Sequence, residues 1–386
     1  MPKNIKFAFI LGFVGFVTSF GAHIVAVNLP VYAQQVGVGV AMIGILIAAY
    51  DFAEIIAKPI FGAVADRQGM KRTMLLGIVF FTIASLTYLV VDPAWLILVR
   101  FLQGVGAAAL SAVSLALIGI YYAGNRGKAY GIYNAIKGAG YVLSPVAGGL
   151  IVLNSNFSAI FLASAGIGAV AFVLSLALPP DQAHAKAALD DDDDDFSLSA
   201  FTAVFKDARL LRWYAVIVVN MFFVSILFGF LPVRIHALNY DPFSGGLLLA
   251  VVAISYLLIQ PLAGWWADKI NVSATIRTGL ALSAFSIILV SFVEGIPLIL
   301  ALIMAGSGVG IVWTNTDALI SELAEAGKLG ATMGAAGSFK ELGDMIGPIL
   351  IGILSQALGL TAGFVICGVL GFLAIVLIDS PKEQTA

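Results

Sequence analysis

Residues 131–149 read GIYNAIKGAGYVLSPVAGG, and residues 334–352 read GAAGSFKELGDMIGPILIG. Aligned on their prolines, Gly131, Lys137, Gly140 and Pro145 coincide with Gly334, Lys340, Gly343 and Pro348, each pair 203 residues apart. One pattern met twice, half a chain apart, points to a duplicated architecture. Each copy places a lysine, several glycines and a proline inside an apolar run, and each of these residues is costly in an isolated helix.

Composition says what surrounds those runs. The chain has 386 residues, of which 61% are hydrophobic and 11% charged. Soluble domains carry roughly 25% charge and roughly 45–50% apolar residues. A compact soluble core cannot hide so much apolar surface, so the expected solvent is lipid. A net charge of −2 argues against a nucleic-acid partner, which requires a basic face. The single cysteine, Cys367, excludes an intramolecular disulfide framework. The first apolar run follows a basic start but continues to about Ala33 without a clear cleavage site, so it reads as a retained span.

Apolar windows long enough to cross a bilayer lie near 7–31, 40–64, 73–91, 95–119, 129–153 and 158–178. A second set lies near 211–233, 243–266, 275–293, 296–318, 332–355 and 359–379. The expected fold is an all-α polytopic membrane protein, with twelve transmembrane helices in two pseudo-symmetric six-helix bundles. The bundles cover 1–178 and 211–386, joined by a polar linker over 179–210. Pro179 and Pro180 end span six, and the run Asp190 to Asp195 repels itself and reads as a solvated tether. The segment SLSAFTAVFKDARLLR that follows has helical apolar spacing and is expected to lie along the membrane surface.

Basic residues orient the chain. With twelve spans, fifteen of the 20 Lys and Arg fall on the side of the termini, Arg234 lies opposite, and Lys58, Arg100, Lys137 and Lys340 lie within spans. The positive-inside rule then puts both termini in the cytoplasm.

Three motifs carry more specific information. The connection after span two reads GAVADRQGMKR, residues 62–72. Here Gly62 permits close helix approach, Gly69 a tight turn, and Asp66 can face the positive N-terminal end of another helix. Span four contains RFLQGVGAAA, residues 100–109, with an arginine about 10 Å inside the membrane. Such a charge costs roughly 2.5–3.5 kcal/mol at mid-bilayer. Span five holds the opening stretch, in which the proline bends the helix while the glycines allow close packing.

With these residues the sequence resembles the major facilitator superfamily. Its loop signature, G-x-x-x-D-R-x-G-R-K, is matched by Gly62, Asp66, Arg67, Gly69 and Lys71, with Met70 in place of the usual arginine. GWWADK repeats it with Gly264 and Asp268. The span-four motif R-x-x-Q-G-x-G-x-A is matched by Arg100, Gln103, Gly104, Gly106 and Ala108. The antiporter motif G-x-x-x-G-P-x-x-G-G is matched by Gly140, Pro145, Gly148 and Gly149, with Ser144 replacing a glycine. Gly343, Gly347 and Pro348 repeat that device in span eleven. The resemblance implies alternating access, with these glycines, prolines and loop charges as gating elements and the arginine tied to proton coupling.

Nine charged residues fall inside spans: Asp51, Glu54, Lys58, Arg100, Lys137, Asp317, Lys340, Glu341 and Asp344. Ionisable groups at such depth face a cavity or pair with one another. Spacing suggests Glu54 with Lys58 and Lys340 with Asp344 as i,i+4 pairs. Asp51, about 22 Å along the helix from Asp66, has isoleucine at position 55 where a partner would stand. It is therefore the first candidate to alternate between a proton and substrate, with Glu54 next and Asp344 and Asp317 after it. Lys137 and Lys340 either hold an anion between them or neutralise the acids, and the excess of acids favours the second reading. His23 and His236 read as structural, and GSGVG at 306–310 as helix packing.

The expected function is secondary export of a small, largely hydrophobic, drug-like compound in exchange for protons. Its partners are the substrate, protons and the lipid bilayer. The chain is expected to act as a monomer in a bacterial cytoplasmic (inner) membrane, without cofactor or metal. An importer or symporter, and a lipid or lysolipid translocator, are the alternatives on the same fold. No H-E-x-x-H, G-x-S-x-G or Walker A sequence supports an enzyme or an ATP-driven pump.

Overall fold

The computed structural model describes residues 5–122, 126–179, 207–324 and 329–378, and all their regular structure is helical. Backbone amides in hydrocarbon have no water to bond, so each crossing segment must close its hydrogen bonds internally. The first part of the chain forms α1 (Lys6–Phe16), a π-helical turn (Val17–Gly21), α2 (Ala22–Gln35), α3 (Val40–Gln68), α4 (Met70–Thr87), α5 (Leu96–Tyr121), α6 (Arg126–Asn154) and α7 (Phe157–Leu176). The second forms α8 (Ala208–Gly229), α9 (Leu231–Ala237), α10 (Pro242–Lys269), α11 (Val272–Val290), α12 (Gly295–Leu323), α13 (Leu329–Leu358) and α14 (Leu360–Ala374).

Among the described residues eleven helical segments are long and apolar enough to cross a membrane, with α1–α2 and α8–α9 each counting as one. The last apolar stretch forms only the 15-residue α14, followed by a 3-10 turn at Ile375–Leu377. At 1.5 Å per residue α14 is about 22 Å long, shorter than the roughly 30 Å hydrocarbon core. The Asp190 to Asp195 run and most of the expected surface helix lie outside the described residues. From Ala208 onward that segment is already α8, so Arg209 and Arg212 occupy the first turns of a span.

Polar side chains close the exposed helix starts. Asn156, Asp207 and Asn271 accept from backbone amides at the starts of α7, α8 and α11. Asp241 does the same before α10, and the Ser244 hydroxyl and nearby amides hold its carboxyl below the usual range. Gly69 turns the chain between α3 and α4 at φ 103°, the left-handed conformation that glycine adopts without strain.

Two compact units divide the chain. The first comprises Met1–Val38, Ala49–Asp193 and Tyr240–Leu247; the second comprises Gly39–Ala48, Asp194–Asn239 and Leu248–Ala386. The start of α3 thus groups with the second unit, and the start of α10 with the first. In the first unit α4 packs on α5 and α7, and α1 on α6. In the second unit the equivalent helices do likewise: α11 on α12 and α14, and α8 on α13.

The duplication reaches single contacts. A side chain at Gly104 would strike the Tyr50 carbonyl, and one at Gly306 would strike the Val252 carbonyl, both pairs being 202 residues apart. The basic residues at the start of each third helix repeat as well. Lys71 donates to the Leu176 and Leu178 carbonyls at the end of α7, and Arg277 donates to the Ile378 carbonyl just beyond α14. Cations at a helix C-terminus meet its negative end and its unsatisfied carbonyls.

Candidate functional site

In the first unit the site is organised by Arg100, 3% exposed on α5. Its guanidinium donates to Gln103 Oε1 at 2.7 Å and to the Ala22 carbonyl at 3.5 Å, and lies 4.3 Å from the Tyr50 ring centroid. Gln103 passes the network on, donating to Ser85 Oγ at 3.1 Å and accepting from the Tyr88 hydroxyl at 3.4 Å. Ser85 lies 3.1 Å from Ser164, which donates to the Gly21 carbonyl at 2.8 Å. A buried charge is tolerable only when hydrogen-bonded, and here an amide, a ring and one backbone carbonyl do that work. No carboxylate pairs with Arg100 among the described residues.

The network ends at the π-helical turn Val17–Gly21. Such turns insert one residue into a helix and release carbonyls from the regular ladder. Ser164 and Arg100 take up the carbonyls of Gly21 and Ala22, just where the turn rejoins α2. Gly140 lies against the same turn, where a side chain would collide with Ser19 and the Phe20 amide. His23 follows the turn, its ring 4.5 Å from that of Tyr141 at 83°. The span-four and span-five motifs therefore meet on span one, a junction that their separate places in the sequence did not reveal.

Of the carboxylates, Glu54 is buried and pairs with Lys58, as the spacing suggested. Lys137 lies near Tyr141, Tyr133, Lys58 and Glu54. Asp51 is half-buried on the same helix.

In the second unit Lys340 of α13 pairs with Asp317 of α12 at 2.7 Å. The i,i+4 spacing pointed to Asp344 instead; pairing across helices prevails because α12 brings Asp317 directly opposite the lysine. Lys340 also stands 4.9 Å from the Trp313 ring centroid, and Trp313 is tilted against Tyr256 with centroids 5.4 Å apart. Glu341 and Asp344 are half-buried on α13. Buried Asn220 and Asn315 donate to the backbone of Val309 and Ile311.

The motif glycines are used unequally. Gly148 lies against Asn28 of α2, Gly149 against the Pro242 carbonyl, and Gly246 against the Pro145 carbonyl, all inside the first unit. In the second unit Gly343 meets the Val218 carbonyl, Gly347 meets Phe222 and Ser225, and Gly44 meets the Pro348 carbonyl. Gly106 lies against the backbone of Gly77 and Phe81. Gly62 and Gly264, by contrast, face open space, so the close helix approach expected at Gly62 does not occur. Arg67 is exposed at the end of α3, and the side chains of Asp66 and Asp268 lie outside the described residues. The GSGVG run packs helices as expected, its glycines fitting against the backbones of α10 and α11. Among the described residues no three His, Cys, Asp or Glu gather as metal ligands.

The Major Facilitator Superfamily profile matches residues 11–245 and again 218–385, so that it spans both copies of the repeat. The chain belongs to the Major Facilitator Superfamily. Relatives within this superfamily include the multidrug resistance protein Stp of Mycobacterium tuberculosis, 23% identical over 89% of this chain and 74% of that protein. The puromycin resistance protein pur8 of Streptomyces alboniger is 34% identical over 42% of this chain and 33% of its own length. The quinolone resistance protein NorA of Staphylococcus aureus is 29% identical over 46% of each chain. The chain thus aligns with only about a third to a half of the last two relatives. Among solved structures, the nucleoside transporter NupG superimposes with a TM-score of 0.81 at 15% identity, covering 98% of this chain and all of that one. A D-xylose-proton symporter gives 0.79 at 15% identity, covering 98% of both chains. The protein is therefore a multi-pass membrane protein of this superfamily, and its relatives include drug-resistance proteins.

Proposed function

We propose that this transporter exports a small hydrophobic compound from the cytoplasm in exchange for protons, by alternating access. The carrying observation is that two acid–base pairs within the spans neutralise each other locally and the buried arginine is held by neutral groups. Glu54 pairs with Lys58, Asp317 pairs with Lys340, and Arg100 is held by Gln103 and the Tyr50 ring. Locally paired charges suit hydrophobic cargo, while their carboxylates remain able to exchange a proton for a substrate charge. The named activities of Stp, pur8 and NorA support the direction of transport. Asp51 remains the first candidate proton carrier, with Glu54 next and Asp344 and Asp317 after it. The reading includes twelve spans, both termini in the cytoplasm, a monomer without cofactor, and a bacterial inner membrane.

Inverted membrane vesicles, acidified inside by respiration and followed with a pH-sensitive dye, test it. Lipophilic cations, neutral drugs and organic anions are added in turn. Proton release triggered by one class, and lost in Asp51→Asn, is the expected result. Silence across the panel with folded protein present refutes export, and full coupling in Asp51→Asn refutes that assignment alone.

A further inference from the structure

The pairing of Lys340 is unusual in what surrounds it. Three helices contribute: Tyr256 from α10, Trp313 and Asp317 from α12, and Lys340 from α13. Trp313 and Asp317 are four residues apart and so share one face of α12. A carboxylate next to an indole face is the chemistry that recognises an organic cation, charge to charge and charge to ring. The cation found there belongs to the protein itself, with its ammonium 2.7 Å from Asp317 Oδ2 and 4.9 Å from the indole centroid.

Three further observations bear on whether that occupant is permanent. The side chains of Lys340 and Asp317 are 21% and 27% exposed, so the pair is reachable rather than sealed. Asp317 Oδ1 has no hydrogen-bond partner among the described residues, so the lysine satisfies only part of the carboxylate. Asp344 lies four residues beyond Lys340 on α13, within reach of a lysine that leaves Asp317. A lysine has a flexible four-carbon stem and can change partner without backbone movement.

We propose that Lys340 is a tethered occupant of an organic-cation subsite formed by Asp317, Trp313 and Tyr256, and that an incoming aromatic cation displaces it. This inference rests on the export reading and names the part of the site that selects cargo. The tethered ammonium acts as an internal competitor at an effective concentration in the millimolar range. Only a ligand that supplies both a positive charge and ring area outcompetes it. A neutral aromatic compound gains the ring contact without replacing the charge, and an anion meets Asp317.

The test uses the full-length protein in lipid nanodiscs, titrated with tetraphenylphosphonium and with uncharged triphenylphosphine oxide. Intrinsic fluorescence is read, and the five tryptophans are resolved by comparison with Trp313→Phe. Tetraphenylphosphonium should quench a component missing from Trp313→Phe. Lys340→Met should bind it about tenfold more tightly, with the oxide unchanged, whereas Asp317→Asn should bind it more weakly. Weaker cation binding in Lys340→Met overturns the proposal, because the lysine would then be helping rather than competing. So does full quenching retained in Trp313→Phe, a comparison that stands even if Lys340→Met does not fold. If tetraphenylphosphonium still drives proton exchange in vesicles while Lys340→Met leaves its affinity unchanged, this inference fails and export stands. If the binding pattern holds but no compound drives exchange, the export reading fails instead.

Discussion

Arg100 illustrates how a single residue combines cost and use. Its charge is held by one side-chain amide, one carbonyl and one ring face, a set that needs a planar guanidinium. Lys at this position keeps the charge but cannot bridge Gln103 and Ala22 while stacking on Tyr50. Hydrogen bonds to charged groups contribute about 1.5–3 kcal/mol, so Arg100→Lys should slow coupled transport by about tenfold or more. Substrate-driven proton release in vesicles measures this, and near-normal rates would show that the charge alone matters. The motif glycines make the same point at the next residues along. Gly106→Ala would push a methyl into the Phe81 backbone, an overpacking cost of about 1–3 kcal/mol. Gly62→Ala points into open space and should be neutral or stabilising by up to about 1 kcal/mol. Thermal unfolding of the two variants in detergent should therefore shift in opposite directions, or only for Gly106→Ala.

At the scale of elements, the π-helical turn of span one links motifs that are far apart in sequence. Its Ser19 and Phe20 sit against Gly140, and Arg100 and Ser164 hold the carbonyls at its junction with α2. Deleting Ser19 should return the turn to a regular α-helix, since the extra residue is what the π geometry accommodates. Because the π turn absorbs that residue, α2 keeps nearly the same rotation relative to α1 while the backbone ladder at the junction closes. The Gly21 and Ala22 carbonyls would then return to the regular ladder and leave Ser164 and Arg100. The expected outcome is normal insertion and abundance with transport abolished. Retained transport would mean that the turn is only a packing adjustment. The pairing of Lys340 with Asp317 rather than Asp344 belongs to this scale too, because it depends on how α12 and α13 are packed.

For the whole molecule the testable property is its orientation across the membrane. Cys367 is the only cysteine and is buried, so new cysteines can be labelled against a quiet background. Asp92→Cys and Asn239→Cys should react with a membrane-impermeant maleimide on intact cells. Gln68→Cys should react only after permeabilisation. The reverse pattern would invert the topology derived from the basic residues.

Much of this was legible in the sequence, for identifiable reasons. Hydropathy reports spans directly, because a backbone in lipid has no other way to satisfy its hydrogen bonds. The repeat of Lys137 and Pro145 at Lys340 and Pro348 announced two copies of one unit, and the structure carries that equivalence down to Gly104 and Gly306. The i,i+4 pair of Glu54 with Lys58 was readable because both residues lie on one helix. What the sequence could not supply was any contact between helices distant along the chain. Only tertiary packing set Lys340 against Asp317 and Trp313, placed Arg100 and Gly140 at the π-helical turn, sent Lys71 to the end of α7, and left Gly62 facing open space. Local spacing determines which residues share a face of one helix; which face of another helix they meet depends on the packing of the whole bundle.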